Sequence, residues 1–524
     1  MTAGSEIHDE ADVIVVGSGA AGAVVAAVLA ERGVDVILLE EGPEVLPEVL
    51  RTDMASSLKH LWREGGFQAA MGRSVTPILQ GRCVGGTTVI NGAIIHRMPE
   101  PIHALWRQEF GLSDRWSYDE LTRAFDELDV ALSVAPTPER LLGGNGVLMK
   151  NALAARGLQG NAIARNVVDC QGSSHCNQGC PSGRKQSMAN TMVPRALRAG
   201  ARLHAGLSVQ RVSLKGDRAD GVWVRQAERG GGLRGPRMRL KARHAVVLAA
   251  SAIQTPQILL RSKLGTRSGL VGRRLQAHPG TAVVGEFDVP VKLRVGATQS
   301  FESTHFWHER MKFETVAMPV ELMAARLPGL GAALVNQIAD YDHLAVWGVQ
   351  VRAKAHGSVG LGMFGGTRLN YDLTTEDVRV LARGVRTLGE LMFEAGAAAV
   401  YPGVYGLPER ITSADALKAL DALDHDPARY HCIAAHLFGT AVLGPSPGRS
   451  VVNPALQCHE VGNLYVADSS VFPTNLGVNP QHTISAVAYL LGESLAERTL
   501  AERRSERRQR SAPPSLRPSA MLPE

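Results

Sequence analysis

The stretch that most restricts how this chain can fold is Gly17-Ser18-Gly19-Ala20-Ala21-Gly22. It fits the pattern G-x-G-x-x-G, and its surroundings make the match informative. A short β-branched run, Asp12 to Val16, precedes it. A helix-forming run rich in Ala, Val and Leu follows from Ala20 to Arg32 and is closed by Gly33. A second apolar strand, Val34 to Leu39, ends at Glu40. Strand, turn, helix and strand in this order predict a right-handed βαβ unit. In such a turn Gly17 allows the tight bend, Gly19 admits a pyrophosphate close to the backbone, and Gly22 lets helix and strand pack closely. Ala20 and Ala21 open the helix, whose free N–H groups and positive dipole end face the phosphates. Glu40 stands where an acidic side chain holds ribose hydroxyls, and its charge disfavours a ribose phosphate. The motif alone does not separate FAD from NAD.

The rest of the chain sets the scale around this unit. At 524 residues it is too long for one simple core. The composition is ordinary for a globular protein, with 45% hydrophobic and 20% charged residues. No apolar run is long and charge-free enough to span a bilayer, and no signal-peptide pattern is expected at the start. Of the net charge of +6, half comes from residues 501–524, which hold six Arg, three Glu and four Pro. That composition predicts a disordered basic tail, and without interleaved aromatics it argues against nucleic-acid binding. Six cysteines in so long a chain are no disulfide framework, which points to a reducing, cytoplasmic setting.

Three further segments carry chemistry. Residues 81–92, GRCVGGTTVING, pair Gly85 and Gly86 with two threonines, a backbone suited to lie flat on a planar ligand. Residues 431–444, HCIAAHLFGTAVLG, set His436 in apolar surroundings. Residues 461–484 read as a buried strand ending at Asp468, a turn of small residues beginning at Ser469, and Gly477-Val478-Asn479-Pro480 opening a helix. Asn is a good N-cap and Pro a good first helical residue. The positive end of that helix suits the negative charge of a reduced flavin ring.

Taken together and in order, these motifs resemble the glucose-methanol-choline (GMC) family of flavoprotein oxidoreductases over about residues 11–497, with SAIQTPQILLRSKLG (251–265) as a fourth shared signature. That signature departs at Lys263, where the family usually has glycine. The resemblance implies a mixed α/β fold: a Rossmann-like FAD-binding domain made of residues 1–105, 195–290 and 430–500, with an inserted substrate domain, 106–194 and 291–429, carrying a largely antiparallel sheet. It implies FAD contacts from the first turn, Glu40, Arg82, Gly85, Gly86, Asn91, Val209, Asp468, Ser469, Asn479 and Pro480. It implies that His436 and Asn479 face the flavin, His436 as the base for an alcohol hydroxyl and Asn479 orienting the substrate oxygen. His482 reads as structural. Ile90 stands where some members attach flavin through His, so FAD is expected to be non-covalent. Expected partners are a small-molecule alcohol and oxygen or another electron acceptor.

Cys170, Cys176 and Cys180, spaced C-x5-C-x3-C, leave two readings open. They could hold an iron–sulfur cluster that passes electrons to a partner, or stabilise a loop. The continuation GRKQS is similar to the cholesterol-oxidase and fatty-alcohol-oxidase branches, which use such a loop without a cluster; no metal ligand is therefore assigned. A hydroxynitrile-lyase-like activity on the same scaffold is a further alternative. The additional motifs disfavour an NAD-dependent dehydrogenase.

Overall fold

The computed structural model describes residues 9–45, 50–112, 116–228 and 231–511. It contains two seven-stranded sheets, each with its own apolar core. The first is built on the βαβ unit: β1 (Glu10–Val16), helix α1 (Gly22–Glu31) and β2 (Val36–Glu40). From Ala11 to Val16 and throughout β2 every residue is buried, as a parallel sheet covered on both faces requires. All but the last residue of α1 are buried as well, which explains its apolar character on every side. Next come β3 (Arg202–Ala205), β4 (Leu207–Lys215), β5 (Arg218–Ala227) and the long β6 (Leu233–Leu248). The order β3-β2-β1-β6 is parallel. The first half of β6 forms an antiparallel meander with β5 and β4, and its end takes Leu464–Val466 as a further parallel neighbour. Helix α2 (Ser251–Ser262) follows and packs on β4.

The second sheet is largely antiparallel. It uses β7 (Gln276–Phe287), β8 (Phe301–Ser303), β9 (Met311–Thr315), β10 (Leu344–Val351), β11 (Ala397–Tyr401) and β12 (Ile433–Phe438). The order is β11-β7-β10-β9-β8, closed by the short Asn161–Ala162 strand, with β12 beside the start of β7. The amphipathic helix α3 (Thr375–Glu394) starts in a Thr374/Asp377 capping box. Its buried face packs against β7, β9 and β10. Alternation along the strands gives this sheet two faces. Val283, Met311, Phe313, Trp347 and Val349 belong to the core that includes α3. His278, Gly280, Ala282, Glu314, Gly348 and Gln350 line a cavity on the other side.

Three segments pack otherwise than the expected division of the chain places them. Gln276–Phe287 and Ile433–Phe438, placed with the nucleotide-binding segments, belong to the second sheet. Conversely, the helix Tyr118–Ala131, placed in the inserted domain, buries Leu121, Phe125 and Leu128 in the first core and packs on α4 (Gln481–Ser511). Helix α4 also corrects the expected tail: residues 501–511 continue it. Arg, Glu and Ala are good helix formers. Here an Arg498–Glu502 pair braces successive turns, and a His244–Glu502 hydrogen bond and an Arg503–Asp12 ion pair tie them to the first sheet. Residues 512–524 lie outside the described residues. Among those described, no helix is long and apolar enough to cross a membrane.

Candidate active site

A cavity of about 760 Å³ lies between the two sheets and draws its lining from both. On the side of the first sheet it begins at the turn after β1. Gly17 sits at φ +100°, where a Cβ would lie 2.4 Å from the Ala249 carbonyl oxygen, so no side chain fits there. Gly22 is not in the lining; its role is packing, since a Cβ would lie 1.8 Å from the Gly17 carbonyl oxygen. Gly19, Ala20 and Ala21 face the cavity. A Cβ on Gly19 would meet no atom within 4 Å.

Glu40 lines the cavity, and its carboxylate also organises the turn. One oxygen accepts from Ser18 N–H (3.1 Å) and Ser18 Oγ (2.7 Å), the other from Gly42 N–H (2.8 Å). Burial raises its pKa above the usual carboxylate value despite these donors. Ser18 Oγ in turn accepts from Gly85 N–H at 3.0 Å, so one serine joins the two glycine turns. That joint was not foreseen from the sequence. Gly85 stands behind the lining while Gly86 is in it. Arg82, Asn91 and Val209 line the cavity. Arg82 pairs with Glu41, and Asn91 Nδ2 donates to Gln481 Oε1 at 2.5 Å. Asp468 lines it too, yet its oxygens accept from Ser251 N–H, Thr255 Oγ1 and Ser470 N–H. It therefore fixes the β6–α2 junction, and burial lifts its pKa. Ser469, Asn479 and Pro480 complete the wall at the start of α4.

Two features show that these residues fit a dinucleotide. The open space over Gly19, before the N-terminus of α1, is a cradle that a Cβ would fill. At the other end Gln481 Nε2 is buried in the wall with no partner among the described residues, a donor available to a ligand.

The second sheet supplies the polar wall. His436, on β12, and Asn479, before α4, meet here: Asn479 Nδ2 lies 3.5 Å from His436 Nε2. Burial, with Lys312 and His96 nearby, pulls the His436 pKa down to about 3, so the ring is neutral. His278, on β7, packs edge-on against it with Nδ1 3.3 Å from His436 Nδ1. Its Nε2 accepts the Gly477 N–H at 2.8 Å, and burial holds its pKa well below the usual value. Behind Asn479, Lys312 on β9 is fully buried. Its Nζ is 2.8 Å from Glu302, 2.9 Å from Glu314 and 2.7 Å from Asn479 Oδ1. His96 reaches Glu302 at 2.9 Å. Burial alone would raise Glu302, but Lys312 and His96 bring it down to about 2. Sequence reasoning missed His278, Lys312, Glu302 and Glu314. The available signal was the strand Met311–Thr315, where charged residues alternate with apolar ones.

The cysteine loop borders the cavity, with Asn177 in the lining. Arg165 donates to Cys176 Sγ at 3.0 Å and reaches Cys170 Sγ at 3.8 Å. Cys180 Sγ accepts the Lys185 N–H. Among the described residues no group of three or more His, Cys, Asp or Glu side chains is arranged to hold a metal. Lys185 Nζ donates to the carbonyls of Val89, Asn91 and Cys176, tying the loop to the second glycine turn. His482 is fully buried, stacks on Phe125 and pairs with Asp129 at 2.8 Å, in line with a structural role.

Family profiles of the GMC oxidoreductases match residues 11–280 (N-terminal part) and 365–488 (C-terminal part). The chain belongs to the GMC oxidoreductase family. An uncharacterized GMC-type oxidoreductase of Mycobacterium tuberculosis is 34% identical over 96% of this chain and 78% of the relative. A long-chain-alcohol oxidase of Arabidopsis thaliana is 25% identical over 95% of this chain and 70% of the relative. The fold is similar to that of Aspergillus oryzae formate oxidase, with a TM-score of 0.71 at 18% identity over 95% and 99% of the two chains. As a GMC oxidoreductase, the chain is an FAD-dependent enzyme acting on CH–OH donors, and FAD is its cofactor.

Proposed function

We propose that this GMC oxidoreductase oxidises a hydrophobic alcohol to its aldehyde or ketone, with His436 and Asn479 holding the substrate oxygen. The observation that carries this is the convergence of His436 Nε2 and Asn479 Nδ2 at one end of the cavity. FAD, when bound, supplies the hydride acceptor. The glycine turns, Glu40, Arg82, Asn91, Val209 and the start of α4 would hold it. Ile90 in the lining offers no atom for attachment, which supports the non-covalent reading. Asn479 orients the hydroxyl oxygen, and His436, neutral at working pH, takes the hydroxyl proton on Nε2 as hydride leaves the carbon. Leu79, Ile94, Met318, Ile433 and Leu437 give the cavity an apolar wall that suits an alkyl chain, as does the relation to a long-chain-alcohol oxidase. The electrons pass to oxygen or another electron acceptor, a partner protein included. Six unpaired cysteines fit a reducing cytoplasm.

One observation favours a second role for His436. Because Gly477 N–H donates to His278 Nε2, a neutral His278 carries its proton on Nδ1, facing His436 Nδ1. His436 then holds its own proton on Nε2 and donates to the substrate oxygen, while Glu314, in the same lining, receives the hydroxyl proton. His436→Gln separates the two, because it retains an N–H donor and removes the base. Assayed with dodecan-1-ol, a loss of about 10³-fold in kcat/KM supports the base, and a loss under about tenfold supports the donor. Dodecanal formation with flavin bleaching supports the overall reading. A yellow protein that no alcohol in a chain-length series bleaches would overturn it.

A further inference from the structure

Lys312 is the one group in the catalytic wall whose presence calls for an explanation beyond packing. It is a lysine with no exposure at all, on a strand that otherwise points Met311 and Phe313 into the core. Burying an ammonium is costly unless each of its protons finds an acceptor. Here all three do: Glu302, Glu314 and Asn479 Oδ1, at 2.8, 2.9 and 2.7 Å.

The third contact has a chemical consequence. An ammonium only donates, so it accepts no alternative from the amide: the oxygen of Asn479 must face Lys312. The NH2 group is then turned toward His436 Nε2 and the cavity. Without a strict donor behind it, an asparagine amide can rotate by half a turn and present its oxygen at the same point, exchanging a donor for an acceptor. The two carboxylates hold the ammonium in place, and His96 holds Glu302 from behind.

We propose that Lys312 is a positioning residue that fixes the Asn479 amide with its NH2 toward the reacting oxygen, and that Glu302 and Glu314 are there to hold Lys312. This rests on the reading that Asn479 contacts the substrate oxygen. It also rests on the first reading of His436, in which Nε2 is free to accept from the Asn479 NH2 and Glu314 serves to hold Lys312.

A double-mutant cycle between Lys312 and Asn479 tests it, using the FAD-loaded enzyme and dodecan-1-ol. Lys312→Met is combined with Glu302→Gln so that one cation and one anion are removed together. This pair should keep its flavin spectrum and lose about 10²-fold in kcat with little change in KM, as expected when a reacting group is misplaced and not removed. Introduced into Asn479→Ala, the same two changes should cost less than about twofold, because their effect runs through an amide no longer present. Equal losses in both backgrounds, or no loss in either, would overturn the proposal. Lys312→Gln, which keeps a polar head of similar length, serves if the pair fails to bind FAD: its loss of kcat must likewise vanish beside Asn479→Ala, and persistence would be equally contrary. The melting temperature of each holoenzyme supplies a readout independent of turnover. A merely structural lysine would lower it and lower kcat by the same factor with or without Asn479. Should Asn479→Ala alone retain full activity, it is the reading of Asn479 that fails, and this outcome is distinct from the others.

Discussion

The two walls of the cavity are built on different principles. The nucleotide wall is made mainly of backbone: glycines that permit a turn, helix N–H groups that face phosphate, and Ser18 and Glu40 locking one turn to the next. Its first part, Gly17 to Glu40, is one continuous stretch of chain, which Gly85, Val209 and Asp468 join from farther along. The catalytic wall is made of side chains, and His96, His278, Lys312, His436 and Asn479 arrive from elements spread over almost four hundred residues. A backbone site tolerates changes in side chains that do not collide with it and fails when a Cβ is inserted. A side-chain site keeps its fold when one group is trimmed and loses its chemistry.

The largest effect that would sharpen this contrast is expected from Gly22→Val. Its Cβ would lie 1.8 Å from the Gly17 carbonyl oxygen and 3.2 Å from the Ala249 Cβ, so the turn must open. The cost should be about 4 kcal/mol or more, and the purified protein should lack flavin absorbance. Retained FAD with wild-type melting would show that side chains, not the glycine turn, carry cofactor binding.

A change of pH acts on the opposite wall. His278 and His436 both have folded pKa values below the ordinary 6.5, His436 near 3. As pH falls below about 6.5, the unfolded chain gains protons that the folded chain refuses. Stability is therefore present above that pH and lost on descending toward 3, by about 1.4 kcal/mol per pH unit for each imidazole. Denaturant titrations of the holoenzyme between pH 7 and 5 should show this slope, and His436→Gln should reduce it. An unchanged slope would mean that the rings are charged in the fold.

The smallest effect belongs outside both walls. Thr374→Ala removes one half of the capping box that starts α3, on the far side of the second sheet from the cavity. It should lower stability by about 1 kcal/mol and leave kcat unchanged. A fall in kcat would mean that the catalytic face feels the helix behind it.

The same contrast governs what could be read from residue order. The βαβ unit was legible because three glycines within six residues, the flanking strands and Glu40 obey local rules. His436 and Asn479 were reached through motifs that lie within one stretch of the C-terminal part. Lys312 was not, because a lysine in Met311–Thr315 looks like any solvated strand residue until the opposing Glu302 and Asn479 are in place. The helical continuation to Ser511 was missed for a related reason: a sequence poor in apolar residues reads as disorder unless the carboxylates and arginines that dock it on the first sheet are known.

The most direct test of alcohol oxidation at this site is the anaerobic reduction of the bound flavin by dodecan-1-ol carrying deuterium at the carbinol carbon, followed by its visible absorbance. Hydride abstraction beside His436 and Asn479 predicts that protiated alcohol bleaches the flavin, that deuterium slows the bleaching severalfold, and that Asn479→Ala slows both. Bleaching at equal rates with the two isotopologues in wild type and variant alike would contradict it.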